Sequence, residues 1–114
     1  MAERAAVAKD FADARVVTWS GLLNGDTGAP VGFMGSGDKS IQFAGTFGVG
    51  GTVVLEGTLD GVNYHTLSDL QTLAISKTAA ALERVAEVVL NVRPRVTAGD
   101  GTTNLTATLL VRQK

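Results

Sequence analysis

No cysteine occurs among the 114 residues. Disulfides and thiolate metal sites are therefore excluded, and a folded life in a reducing cytoplasm is compatible with the chain. Aromatic residues are sparse: Phe11, Trp19, Phe33, Phe43, Phe47 and Tyr64. Base-stacking platforms need clustered exposed rings with basic neighbours. Only Phe43 and Phe47 lie close together, and no Lys or Arg falls between them. A basic excess is also missing, since the formal net charge is −1. That balance speaks against a nucleic-acid partner. Apolar runs stop after a few residues, far short of the roughly 20 that a membrane span needs. The opening "MAERAAVAKDFADAR" mixes both charge signs and lacks the apolar region of a secretory signal. Asn104-Leu105-Thr106 matches the N-glycosylation pattern, which is discounted without a secretory route. Proline occurs only twice, so strand-breaking falls to other residues.

Glycine does that work. Its 14 copies are scattered singly between short apolar runs, the pattern of punctuation between strands and not of a linker. A chain of this length reads as one domain with a single core. Residues 1–14 are Ala-rich and charged, with an apolar face too thin for an independent helix. They read as an irregular arm, either frayed or ordered on a neighbouring subunit. Residues 15–114 read as one β-sandwich domain.

Within it, "RVVTWSGLL" alternates, with Val17, Trp19, Gly21 and Leu23 on one face. "NGDTGAP" is a turn cluster, and "VGFMGSGDK" reads as a short strand followed by a loop. Ile41, Phe43, Gly45 and Phe47 share a face, as do Val53, Leu55, Gly57 and Leu59. With "GVGG" and "DGVN" as turns, residues 41–67 read as a three-strand meander. Gly45 and Gly57 on the inward face predict a bulky neighbour above them, with Trp19 the candidate. "LAIS" reads as a strand. Leu82 to Glu87 reads as a loop or one helical turn, and Val88 to Val96 as a strand, where Pro94 implies an edge or a bulge. "TAGDGTT" is a turn, and "NLTATLLVR" closes the fold with Leu105, Ala107, Leu109 and Val111 on one face and Thr106, Thr108 and Leu110 on the other. About seven to nine short strands at this spacing predict an all-β, antiparallel sandwich or jelly roll.

Catalytic chemistry finds no foothold. His65, the single histidine, stands near Ser68 and Asp69, but residues three and four apart on a strand and turn do not converge as a triad. The aspartates Asp26, Asp38, Asp60, Asp69 and Asp100 adjoin turn residues and lack calcium-loop spacing, so turn capping is their reading. "GSGDKS" is not a phosphate loop, because Asp38 stands before Lys39 and no G-K-[ST] follows. "GTFGVGG" opens no helix. No catalytic, cofactor-binding or metal site is expected, and the chain reads as a non-enzyme.

Two segments resemble a known group. "IQFAGTFGVGGTVVLEGTLDGVNYHTLSD" and "RPRVTAGDGTTNLTATLLVR" are similar to small structural proteins of tailed-bacteriophage virions. In that group a strand ending in "GTFG" precedes "TVxLEGSxDGxxWxxL" and, later, "RPxVTxGDGTTxLxVxLxxR". Thr58-Leu59 stands where Ser-Asn is commoner, and Tyr64 where Trp is commoner. The resemblance spans about half the chain and implies a capsid decoration or cement protein with a β-sandwich fold. Such a protein binds and stabilises the major capsid protein shell from the outer capsid surface, as a homotrimer, after synthesis in the host cytoplasm. The expected partners are the major capsid protein and further copies of the chain, with no nucleic acid and no membrane. The candidate subunit or capsid contacts are Glu3, Arg4, Phe11, Arg15, Arg93, Arg95 and Arg112. The alternative is a tail, head–tail or carbohydrate-binding adhesion module of the same fold, with Trp19 and Tyr64 as its only sugar-stacking candidates.

Overall fold

Alternating apolar and polar residues build two sheets that bury their apolar faces against each other. The computed structural model of the chain describes residues 2–32 and 36–113. Its strands are β1 (Glu3–Arg4), β2 (Ala6–Asp10), β3 (Ala14–Leu22), β4 (Thr27–Gly28), β5 (Val31–Gly32) and β6 (Ser36–Thr46). They continue with β7 (Thr52–Thr58), β8 (His65–Thr66), β9 (Ser76–Lys77), β10 (Ala81–Arg84), β11 (Asn91–Ala98) and β12 (Asn104–Gln113). One sheet runs β1-β4-β11-β7-β8, with β5 also on β11 and β9 on β7; the other runs β10-β6-β12-β3-β2. All pairs are antiparallel except β1 with β4. The protein is an all-β sandwich.

The core lies between the sheets. From the five-stranded sheet come Val17, Trp19, Leu22, Ile41, Phe43, Leu105, Ala107, Leu109 and Val111; from the other come Val53, Leu55, Val92 and Val96. The inward faces of β6, β7 and β12 match the alternation of their sequences at Ile41, Phe43, Val53, Leu55 and Leu105 to Val111, but Leu59 lies beyond the end of β7 and is exposed, as is Gly45. Each buried aliphatic or aromatic side chain contributes roughly 1.5–3 kcal/mol relative to exposure, which makes this interleaved layer the main source of stability.

Several expectations change. Residues 1–14 do not form an irregular arm. β1 joins the edge of one sheet and β2 the edge of the other, and Ala6 packs on the core. The alanines are small because Ala6 and Ala8 sit opposite Trp19 and Val17 on the inward face. The inward face of β3 is Val17, Trp19 and Leu22, not Leu23. Gly21 has φ +65, and three β3 residues span what two span on β12 between Leu22 and Trp19. This bulge shifts the alternation by one residue. Residues 36–39, read as a loop, begin β6; Phe33 lies outside the described residues.

The meander over 41–67 is half correct. β7 and β8 form a hairpin, but β6 and β7 belong to opposite sheets, so "GVGG" is a corner between them. Gly48 there has φ +76, and a Cβ on it would collide with Asp100 and Thr103. Leu82–Arg84 lie in β10, because the free edge of β6 supplies a partner from Ser40 to Phe43. β11 starts at Asn91, leaving Val88 and Leu90 exposed in the preceding segment. "LAIS" contributes Ser76 to β9, and Ala74 makes only an isolated bridge with Ser68.

Pro94 sits inside its sheet, opposite Leu55. Val96 donates its N–H to the Asp26 carbonyl, on the β4 side. Pro94, two residues earlier, turns its nitrogen the same way, into the break between β5 and β4, so the missing N–H costs the ladder little. Trp19 packs over Gly28 and Pro94, not over Gly45 or Gly57. Its indole N–H donates to the Ala29 carbonyl at 2.9 Å. Gly57 lies instead beneath Leu67 and Val89, and Gly45 against the backbone of Asn104 and Leu105.

Candidate functional site

Four of the five aspartates read as turn caps do cap turns, each in a different way, whereas Asp38 lies in β6. Asp26 is buried and accepts the Leu23 N–H at 2.9 Å, the Ala2 N–H at 3.1 Å and Arg4 Nε at 2.6 Å. Burial alone would push its carboxyl up, but these three donors together hold it below its ordinary value. Asp60 accepts the N–H groups of Val62 and Asn63, both at 2.8 Å, and these lower its pKa. Asp69 accepts the Gln71 and Leu73 N–H groups. Asp100 accepts the Thr102 hydroxyl, and the N–H groups of Thr102 and, across the corner, Val49; these hold its carboxyl at about 2. Asp38 alone caps no turn among these contacts, and instead meets two arginines. Turn chemistry therefore accounts for the other four.

His65 stands exposed on β8 beside Leu59, Asp60 and Asn63. Ser68 turns away from it and donates its hydroxyl to Glu87, which also accepts the Ser68 N–H at 2.8 Å. These bonds lower the Glu87 pKa against the upward push of burial. The Ser68–Glu87 pair and the Asp69–Val85 bridge close one side of the sandwich.

The candidate contacts fall into four groups. Glu3 and Arg4 lie in β1, with Arg4 committed to Asp26. Phe11 is exposed at the β2–β3 turn, under Lys9 at 5.5 Å from the ring centroid, and Arg15 pairs with Asp10 at 2.7 Å. That bond raises the Arg15 pKa and lowers that of Asp10. Arg93 and Arg95 lie on the outer face of the seven-stranded sheet. There the Glu56 carboxylate accepts from Arg93 Nε at 3.1 Å and from Arg95 Nη1 at 3.0 Å. Arg93 also stacks 3.7 Å from the Tyr64 ring centroid.

Arg112 belongs to a second cluster, on the opposite outer face. Asp38 there accepts from Arg84 Nη2 at 2.7 Å and from Arg112 Nη2 at 3.0 Å. These guanidinium groups, Arg84 first, lower the Asp38 pKa. Asp38, Ser40, Arg84, Leu110 and Arg112 line an open cavity of about 150 Å³. Strand register sets its surroundings, because residues opposite each other in a sheet share a face. One outward row is Val7, Thr18, Thr108, Gln42 and Leu82; the next is Lys9, Val16, Leu110, Ser40 and Arg84. Arg84 and Asp38 were not identified as contacts from sequence. The signal was available only through the pairing of β10 with β6, which the helical composition of that segment concealed.

No known protein-family pattern matches the chain. No curated protein matches it by sequence. Solved structures do. The SPBc2 prophage-derived protein YomS superposes with a TM-score of 0.66 at 9% identity, covering 90% of this chain and 97% of that one. Protein NMB1881 from Neisseria meningitidis superposes with a TM-score of 0.49 at 10% identity, covering 95% of this chain and 83% of that one. The likeness to the prophage-derived protein is one of fold, over nearly the full length of both chains.

Proposed function

We propose that the chain is a non-enzymatic structural component of a tailed-phage virion, and within that class a capsid decoration protein. In this reading it binds the major capsid protein shell from outside as a homotrimer and reinforces it. The observation that carries the reading is the shared fold with a prophage-derived protein across 97% of that chain. The motif resemblance supports it. Its two segments are mutual partners in the fold: β6 pairs with β12 and β7 with β11, and the Asp100 turn docks on the Gly48 corner. The motif thus describes one four-strand unit that spans both sheets. Many copies on one particle would give large total stabilisation from modest single contacts.

The adhesion alternative needs rings with free faces for sugars. Trp19 is fully buried, and Tyr64 carries the Arg93 guanidinium on its ring.

The test is co-sedimentation of the purified chain with heads and, separately, with tails of the phage whose genome encodes it, together with its mass by light scattering. Saturable binding to heads and a trimeric mass are expected. Binding to tails alone would move the protein to the tail. Failure to bind either particle would overturn the virion reading.

A further inference from the structure

The outer face of the five-stranded sheet has a charge surplus that its own residues do not cancel. A single carboxylate, Asp38, faces two guanidinium groups, Arg84 and Arg112, with Lys9 further along the same face. The arginine side chains are 51% and 65% exposed and Asp38 is 43% exposed, so the cluster is open to solvent. Each guanidinium has five N–H donors, and one Nη2 contact to Asp38 leaves the others available for a second acceptor. Leu110 floors the cavity and Ser40 adds a hydroxyl. Beyond the cavity, exposed Val7 and Leu82 lie in the outward row next to that of Leu110, among Thr18, Thr108 and Gln42. Five strands side by side make this face about 19 Å across. Such dimensions exceed what a small anion uses.

We infer that this face docks an acidic, partly apolar segment of a partner protein, with a carboxylate seated between Arg84 and Arg112 and aliphatic side chains on Leu82, Leu110 and Val7. The inference rests on the proposed role as a docking protein and identifies its docking face. Complementarity of charge selects the occupant: paired arginines favour bidentate carboxylates, and the aliphatic rows favour a peptide over a free ion.

The experiment is an NMR titration of the labelled, full chain with the capped peptide Glu-Leu-Glu-Leu-Glu, its Gln-Leu-Gln-Leu-Gln counterpart and inorganic phosphate. The glutamate peptide is expected to shift Ser40, Leu82, Arg84, Leu110 and Arg112. The double variant Arg84→Gln/Arg112→Gln is expected to weaken it at least tenfold, while Arg95→Gln, which removes a positive charge from the other sheet, leaves it intact. Equal binding of the glutamine peptide, shifts confined to the other sheet, or no shifts would overturn the inference. Phosphate binding that matches the peptide and leaves Leu82 unmoved would reduce the cavity to a small-anion site and also overturn it. Head co-sedimentation separates the two levels. If Arg84→Gln/Arg112→Gln binds heads as tightly as the parent chain, docking uses another face while the virion reading stands. If the parent chain binds neither heads nor tails, the virion reading falls, whatever the peptide does.

Discussion

The two outer faces of the sandwich carry the same arrangement, a carboxylate between two arginines, in opposite states. On the seven-stranded sheet Glu56 is 6% exposed in its side chain, and Arg93 beside it is 25% exposed and stacked on Tyr64. On the five-stranded sheet Asp38 and both its arginines are largely in water. The same arrangement of charges therefore has different consequences. Removing the covered carboxylate takes the acceptor from Arg93, which is mostly shielded, and from the half-exposed Arg95, whereas an exposed carboxylate is replaced by solvent. The Glu56 cluster is positioned to hold the fold, and the Asp38 cluster is free to hold something else.

Glu56→Ala tests the closed cluster and has the largest expected effect. It takes the shared acceptor from Arg93 and Arg95, and the loss of two charge-assisted hydrogen bonds should cost about 2.5 kcal/mol and lower the Tm by on the order of 10 °C in calorimetry. A Tm shift no larger than that of Asp38→Ala would erase the distinction between the faces. Asp26→Ala comes next. Loss of its three hydrogen bonds should cost about 2 kcal/mol and release β1. Hydrogen exchange should rise at the N–H groups of Thr27 and Ala29, which donate to the Ala2 and Arg4 carbonyls, while β6 and β12 stay protected. Equal exchange along the whole chain would show that β1 and the core unfold together.

Acid provides a graded version of the same comparison. Asp100, with an ordinary value of 3.8, is held at about 2 in the folded protein, and Asp26 is also lowered. A depressed folded pKa contributes stability that is complete above the ordinary value and disappears as pH falls through the folded one. Denaturant midpoints should therefore hold steady down to about pH 4 and decline toward pH 2. Asp100→Asn should flatten that decline, since its corner no longer titrates. An unchanged slope would mean that other carboxylates govern acid unfolding. The smallest effect belongs to Asp38→Ala, for which the Tm should stay within measurement error of the parent chain.

Regular strands were legible in the sequence where the partner strand and the hydrophobic pattern agree. Ile41 and Phe43, Val53 and Leu55, and Leu105 to Val111 alternate cleanly, and their faces are as expected. Local pattern failed where geometry is decided elsewhere. Gly21 reads as one more strand residue, but its positive φ moves Leu22 inward and Leu23 out. Ala81–Arg84 has helical composition, and only the open edge of β6 makes it a strand. β2 lacks an apolar face of its own, because Trp19 and Val17 supply the bulk on its inward side and leave room for alanine. Among the candidate contacts, charge alone marked Arg93, Arg95 and Arg112 alike. What separates the two clusters is burial of the shared carboxylate and of Arg93, since Arg95 is about as exposed as Arg84.

The central place of β12 carries a consequence for the making of this protein. β12 lies between β6 and β3, and joins the β10–β6 half of its sheet to the β3–β2 half. Until residues 104–113 leave the ribosome, those halves have no common backbone ladder, and Leu105, Ala107, Leu109 and Val111 are missing from the interior. A nascent chain interrupted before this strand would expose two unsatisfied strand edges to the cytosol, a substrate for proteases. Only chains that include this strand can therefore present the five-stranded face.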